Sequence, residues 1–208
     1  MEVLQSRRGR PKQNDLSYRD TKDALLQAGL IWLTQNGFHA TGLEPMLRFA
    51  EIPKGSFYHY FDSKEVFALA VLERYRHYFE NKLDRYLLDD DLPPVTRLRN
   101  FIESAKAGME KYAYQRGCLV GNLEQEANAL PETIRLAVLD TYQSWQSKVA
   151  DCLTLDQQQG LLAHDADVDA LAHVFWIGWE GAVARARLLQ SSGPLIQFEK
   201  FYLAGLPR

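Results

Sequence analysis

Apolar positions recur along this chain at helical spacing, with no convincing run of the alternate-residue pattern that marks a half-buried strand. Ala24, Leu25, Ala28, Ile31 and Trp32 form the first stripe, and Asn36-Gly37 ends it. A helix is therefore predicted over about 17–35, with Gly37 as a left-handed cap. Leu43, Met46, Leu47 and Ala50 give a second helix at i, i+3, i+4, i+7 spacing. Pro53 lacks an amide hydrogen and disfavours helical geometry at Ile52, which sets a boundary there. From Lys54 to Phe61 there is room for about two turns, with Phe57 and Phe61 pointing inward. Asp62 or Ser63 can cap the next helix, and Glu65 suits its first turn. Its stripe of Phe67, Ala70, Val71, Tyr75, Tyr78, Phe79, Leu83 and Tyr86 runs to about Leu88, and Asp89 to Pro94 closes it.

The same pattern predicts helices from about Val95 to Tyr114, from the 115–123 turn to near Leu130, from Pro131 to Thr154, from Asp167 to Leu189, and from Pro194 onward. The helix opening at Asp167 is apolar nearly all round, so it should be buried on several sides. The fold class is all-α with about nine helices, arranged as a flexible basic arm (1–16), a three-helix unit (17–63) and a larger helical body (64–208). No repeat or low-complexity run interrupts it.

Composition narrows the class further. At 208 residues, with 46% hydrophobic and 25% charged, the chain can bury a sizeable core. The net charge of −3 does not oppose nucleic-acid binding, because positive charge gathers locally at Arg7, Arg8, Arg10 and Lys12. Cys118 and Cys152 form neither a disulfide framework nor a metal-ligand spacing, which points to a reducing cytoplasm. No apolar run approaches the roughly 18 residues that span a bilayer, and no secretory signal opens the chain. Nothing in the pattern calls for a cofactor or a metal.

The stretch from Thr41 to Lys64 carries the most specific chemistry. Two helices joined by a short turn form a helix-turn-helix, whose second helix enters a DNA major groove. The outward face of that second helix holds Lys54, Gly55, Ser56, Tyr58, His59 and Tyr60. Gly55 lets backbone approach the duplex closely. Lys54, Ser56 and Tyr58 suit base edges and thymine methyls, whereas His59, Tyr60 and Lys64 suit phosphates. Thr41 stands where a cap hydroxyl and a phosphate contact would coincide. Arg7, Arg8 and Arg10 suit a narrow minor groove. The alternative for the aromatic face is a protein interface.

The run PKGSFYHYFDSKE resembles the recognition-helix signature of the TetR family of bacterial regulators. Pro53 departs from the serine that many members place there as an N-cap. The resemblance implies three helices for DNA and six for a ligand-binding, dimerising body that answers a small-molecule inducer. It also implies a homodimer on double-stranded operator DNA, with the last two helices pairing in a four-helix bundle. Gly178, Gly181 and Ala182, with Phe198, Phe201 and Tyr202, are the residues placed at that interface; for any one of the small residues, packing of its helix within the same chain is the alternative.

In the body, RGCLVGNL (116–123) together with FWIGWEG (175–181) resembles the acrylate-responsive, AcuR-type branch of the family, and NemR-type members less closely. The implied inducer is a small reactive, α,β-unsaturated or oxidising compound. Cys118 beside a helix N-terminus, with Arg116 two residues away, suits a thiol of lowered pKa; the plainer reading is a small buried core residue. Tyr112, Arg116, Tyr142, Trp145, Trp176 and Trp179 are the polar-tipped or cationic candidates for holding an inducer. Glu180 lies in a strongly apolar stretch, where an unpaired carboxylate is costly. It should pair with Arg185, Arg116 or a ligand, or reach the surface.

An enzyme is not expected. A nucleophilic Cys118 wants a base within reach, and no cysteine-hydrolase motif surrounds His164 or His173. A purely architectural DNA-bending protein would not need so long an aromatic-rich body. What remains is a ligand- or redox-controlled regulator, acting as a repressor by family default.

Overall fold

The computed structural model describes the backbone of residues 18–208 and side chains from residue 21 onward. Arg7, Arg8 and Arg10 lie outside the described residues. Among those described there are nine helices and no strand: α1 Tyr18–Ala40, α2 Leu43–Phe49, α3 Lys54–Tyr60, α4 Lys64–Leu87, α5 Pro94–Lys111, α6 Leu119–Glu124, α7 Glu132–Gln158, α8 Val168–Leu189 and α9 Gly193–Ala204. None is long and apolar enough to cross a membrane.

Local chemistry accounts for most boundaries. The Ser63 hydroxyl accepts the Val66 amide at 3.1 Å and caps α4. The Asp167 carboxylate accepts the Ala170 amide at 3.0 Å and caps α8. Each bond satisfies one of the amides that a helix start leaves without an intrahelical partner. Ahead of α3 there is no side-chain cap: Pro53 is the N-cap, and its carbonyl accepts the Ser56 amide at 2.9 Å. Several boundaries differ from the sequence expectation. Pro131 caps α7 instead of opening it. The short α6 stops at Glu124, and a series of turns carries the chain on to Leu130.

Helices α5, α7 and α8 build the body around α4, which is about 36 Å long at 1.5 Å per residue. It packs on α5 and α7 along its length, and α8 closes the far side of α7. An aromatic cluster fills the middle. Trp145 of α7 lies 4.3 Å, centroid to centroid, from Phe79 of α4 and 4.9 Å from Trp176 of α8. Phe101 of α5 meets Phe79, Phe175, Trp176 and Trp179. Each such ring buries on the order of 150–250 Å², so the cluster dominates the energetics of the body.

The small unit is not insulated from this body. Phe57 and Phe61 anchor α3 by stacking edge-on against Phe67 of α4. Gly29 lets α1 cross α4 closely, because a Cβ there would lie 2.4 Å from the Phe67 ring. The α1 stripe also includes Leu26 and Leu33, which the sequence pattern left out.

Beyond Gln35 the chain does not stop as expected. Gly37 has positive φ (78°) with extended ψ (−174°), and one more helical turn follows to Ala40. That conformation is open to glycine alone, and it is not the left-handed helical cap anticipated. A Cβ at Gly37 would sit 1.8 Å from the Glu126 carboxylate.

Gly37→Ala should therefore cost about 3 kcal/mol, from backbone strain together with the displaced carboxylate. Gly55→Ala serves as the control: space around Gly55 is open, so its stability should stay within about 1 kcal/mol of wild type. Urea unfolding followed by circular dichroism reads both.

Candidate functional site

Three places gather the chemistry: the outer face of α3, the joint at the end of α1, and two cavities in the body. On α3, burial of Phe57 leaves Lys54, Gly55, Tyr58 and His59 exposed and Ser56 and Tyr60 half-buried. Lys54 Nζ donates to Glu44 Oε1 of α2 at 2.9 Å, but both groups are exposed, so the contact is weakly held. The predicted face is therefore presented together, on a two-turn helix whose apolar side is locked into α4.

Two flanking residues also make contacts within the chain. Thr41 is buried, and its hydroxyl donates to the Gly37 carbonyl at 2.5 Å. The hydroxyl is thus an internal strut and not an outward contact; Gly42 is the N-cap of α2. Lys64 stands 4.5 Å from the Phe38 ring centroid and donates to the His39 carbonyl at 3.4 Å.

The joint at the end of α1 is held by the body. Glu126 Oε1 accepts the Phe38 amide at 2.8 Å, and Oε2 accepts the His39 amide at 2.8 Å. His39 Nδ1 lies 2.6 Å from the same Oε2. The carboxylate thus caps the helical turn that restarts after Gly37. Asn122 of α6 donates to the Thr34 carbonyl at 2.6 Å. Arg187 of α8 donates to the Gln35 carbonyl at 3.1 Å and to Asn122 Oδ1 at 2.7 Å. Side chains from α6, α8 and the turn after α6 therefore satisfy groups that a helix end and restart would leave open. Periodicity gives no signal for Glu126, which lies in a turn, and the sequence reading missed all three residues.

The candidate sensing residues divide between two cavities. The first, about 410 Å³, lies between α1, α4, α5, the α5–α6 link and α8, and is lined by Tyr75, Lys82, Tyr112, Arg116, Cys118 and Trp179 among others. Arg116 stacks 4.1 Å from the Tyr112 ring centroid. Arg74 also lines it, but is paired with Asp23 at 2.8 Å. Lys82 is the residue sequence reasoning overlooked. It lies seven residues after Tyr75 and three after Phe79, so helical spacing puts it on the same inward face. Burial, with Arg85 nearby, pulls its ammonium pKa down. No acidic side chain pairs with it among the described residues.

Cys118 fits the plainer of its two sequence readings, that of a small buried residue. It is buried, and its thiol is pushed well above the usual range by desolvation and then by Glu180. The thiol accepts from the Tyr75 hydroxyl at 3.6 Å and is hydrogen-bonded to the Glu180 carboxyl. Arg116 is engaged with Tyr112 and does not lower the thiol pKa. Cys152 is likewise buried and pushed up to about 12, mainly by desolvation.

The second cavity is an open trough of about 1100 Å³ between α6, α7 and α8, lined by Glu124, Tyr142, Trp176 and Glu180 with Leu136 and Ile177. Tyr142 donates to Glu124 at 2.7 Å. Glu180 pairs with neither Arg185 nor Arg116, and burial raises its carboxyl pKa to about 8. Trp145 lines neither cavity; it is fully buried in the aromatic cluster.

The residues expected at a dimer contact also divide. A Cβ on Gly178 would lie 2.5 Å from the Phe198 ring, so that close approach is between α8 and α9 of one chain. Ala182 is buried, and Tyr202 donates to the Leu171 carbonyl at 3.0 Å. Gly181 and Phe201 do face outward, alongside Val174, Ile177 and Leu188 of α8.

Comparison with known proteins agrees with this arrangement. The family described as bacterial regulatory proteins, tetR family, matches residues 21–71, and the tetracyclin repressor-like C-terminal domain matches residues 94–201. The chain is 45% identical over 197 residues to the transcriptional regulator AcuR of Cereibacter sphaeroides, covering 94% of this chain and 89% of that one. It is 30% identical over 182 residues to the transcriptional repressor NemR of Escherichia coli, covering 88% and 92%. A crystal structure of a regulatory protein TetR from Rhodobacter sphaeroides superposes with a TM-score of 0.87 at 44% identity, over 88% of this chain and 97% of that chain. With both halves matched and the helix-turn-helix mounted on a nine-helix frame, the chain belongs to the TetR family of bacterial transcriptional regulators.

Proposed function

We propose that the protein is a cytoplasmic, homodimeric repressor that binds operator DNA through α3 and is released by a small carboxylate-bearing inducer of the acrylate type. The observation that carries the DNA reading is the face of α3, where a cation, a bare glycine, a hydroxyl, two phenols and an imidazole stand together on a buried aromatic anchor. Lys54, Ser56 and Tyr58 read base edges; His59, Tyr60 and Lys64 contact phosphates; Gly55 brings the backbone close. Arg7, Arg8 and Arg10 follow the minor groove beside it. Two copies pair through the outward stripe of Val174, Ile177, Gly181 and Leu188 on α8 with Phe201 on α9, so that two α3 helices meet adjacent major grooves.

The inducer sits in the cavity that holds Lys82. An ammonium withdrawn from water without a counter-ion is costly, and a ligand carboxylate relieves that cost. Arg116 guards the same cavity, and Tyr75, Cys118 and Trp179 form its inner wall. The cavity touches both α1 and α4, so occupancy acts on the two helices that carry the DNA-reading unit. The shift of equilibrium is limited by the inducer's difference in affinity between the two states. Because the thiol is buried and held neutral, reversible occupancy is favoured over covalent capture at Cys118. The two readings separate on Cys118→Ser, which retains release under the first and loses it under the second.

On DNA from upstream of this protein's own gene, Gly55→Ala and Tyr58→Ala should each weaken binding about tenfold or more by fluorescence anisotropy, with helical content unchanged. Wild-type affinity in both would remove α3 from the interface. Lys82→Met should bind operator normally in the absence of inducer, yet need at least about tenfold more acrylate for release, the loss of a charge-assisted contact. Release at unchanged acrylate concentration would sink the carboxylate seat.

A further inference from the structure

The contact between Lys54 and Glu44 puts a carboxylate beside the DNA-reading face. Lys54 stands first in α3 and Glu44 second in α2, so the pair bridges the two helices of the helix-turn-helix. Neither side chain is covered: Glu44 is 67% exposed and Lys54 57%. Arg48, one turn along α2, and Tyr58, one turn along α3, are close enough to act on the pair. The hydrogen bond and charge of Lys54 hold the Glu44 carboxyl below the usual range, so it is ionised at neutral pH.

A fixed negative charge in this position is a cost to a DNA-binding protein, because phosphates repel it along both strands. Stability does not explain it, since an exposed ion pair contributes little. On the DNA side a carboxylate finds hydrogen-bond donors only at base amino groups, and in the major groove those belong to cytosine and adenine.

We infer that Glu44 and Lys54 together read one G·C base pair in each operator half-site, the Lys54 ammonium donating to guanine and the Glu44 carboxylate accepting from the cytosine N4 amino group. This rests on the reading of α3 as the DNA-contacting helix and adds the base that it selects.

The spacing of the pair fits. In G·C the cytosine amino group donates to guanine O6, and such a bond is about 2.9 Å long. The ammonium and the carboxylate are themselves 2.9 Å apart. Each can therefore lie against the base atom of opposite polarity while the two keep their own contact. The order of groups across the groove selects the base pair. In G·C both acceptors, N7 and O6, lie together on guanine, and the donor lies alone on cytosine. An ammonium with three donors suits the first edge, and an acceptor-only carboxylate suits the second. In A·T the adenine amino group lies between two acceptors, N7 and thymine O4, so a carboxylate placed on it faces an acceptor on either side. A lysine on thymine O4 would also meet the methyl group.

Selection of the full-length protein on a randomised duplex library tests this, followed by fluorescence anisotropy on the selected site with each base pair changed in turn. Wild type should show one G·C position per half-site at which any other pair weakens binding about tenfold or more. Glu44→Ala and Lys54→Met should each lose that preference to within about twofold and keep the preferences elsewhere, and the two losses should not add in the double variant. Where that G·C pair has been replaced, Glu44→Ala should bind more tightly than wild type, since no carboxylate is then held against an acceptor. If Lys54→Met binds too weakly to titrate, the Glu44→Ala comparison decides by itself. Three results, in variants with wild-type circular dichroism, would each overturn the assignment: unchanged preferences in Glu44→Ala, a uniform change of its affinity at all positions, or losses in the two variants that fall on different base pairs. Failure of α3 as the reading helix has another signature, in which Gly55→Ala and Tyr58→Ala also keep wild-type affinity for the selected site.

Discussion

The end of α1 is the constraint on which the rest of the molecule depends. A helix that ends inside a protein leaves carbonyls without partners, and one that restarts leaves amides without them. Here α1 does both across Gly37, and the groups that answer come from the body: Asn122 for Thr34, Arg187 for Gln35, Glu126 for Phe38 and His39. Each bond is modest by itself, about 1 kcal/mol, or up to about 3 where a charge is involved. Leaving one of these groups dry and unpaired costs comparably, so these bonds tie the end of α1 to the body. Gly37 is the backbone condition for the arrangement, since any side chain there collides with the carboxylate.

This joint lies close to the lysine-bearing cavity. Thr34, whose carbonyl Asn122 holds, also lines that cavity, as does Tyr75 of α4. Cys118 is the N-cap of α6, the helix that carries Asn122. A ligand pressing on Cys118 or Thr34 therefore acts on a joint made of a few hydrogen bonds. It does not have to deform the aromatic cluster around Trp145. Close packing makes that cluster stiff, which leaves the joint as the softer element between cavity and α3.

Much of this was legible in the chain. The helical stripes placed most of the described helices, because each helix buries one face and the spacing of that face is written in sequence. The α3 signature was legible for a related reason: Phe57 and Phe61 fix which side turns inward, so the outward residues follow. What escaped notice were interactions between residues far apart in sequence. Glu126 lies in a turn with no period, 88 residues from its Phe38 partner. Gly37 looked like an ordinary cap, and only the fold shows a carboxylate against it. Sequence left Cys118 open between an activated thiol and a packed one, because Arg116 is near along the chain; in space Arg116 belongs to Tyr112 and Cys118 to Glu180. Gly178 was open between a second copy and its own chain, and Phe198 of its own chain occupies that space. Local pattern reports burial well; it does not report which distant polar group satisfies which.

The measurement that bears most directly on this coupling is operator affinity of Glu126→Ala. The substitution removes the carboxylate from the joint and leaves α3 and the cations that line the Lys82 cavity untouched. With the two amides unanchored, anisotropy titration of labelled operator should show binding weakened about tenfold, while helical content and dimerisation stay as in wild type. Wild-type affinity in that variant would mean that the joint does not hold α3 in its DNA-binding geometry, and the link from cavity to DNA would have to run elsewhere.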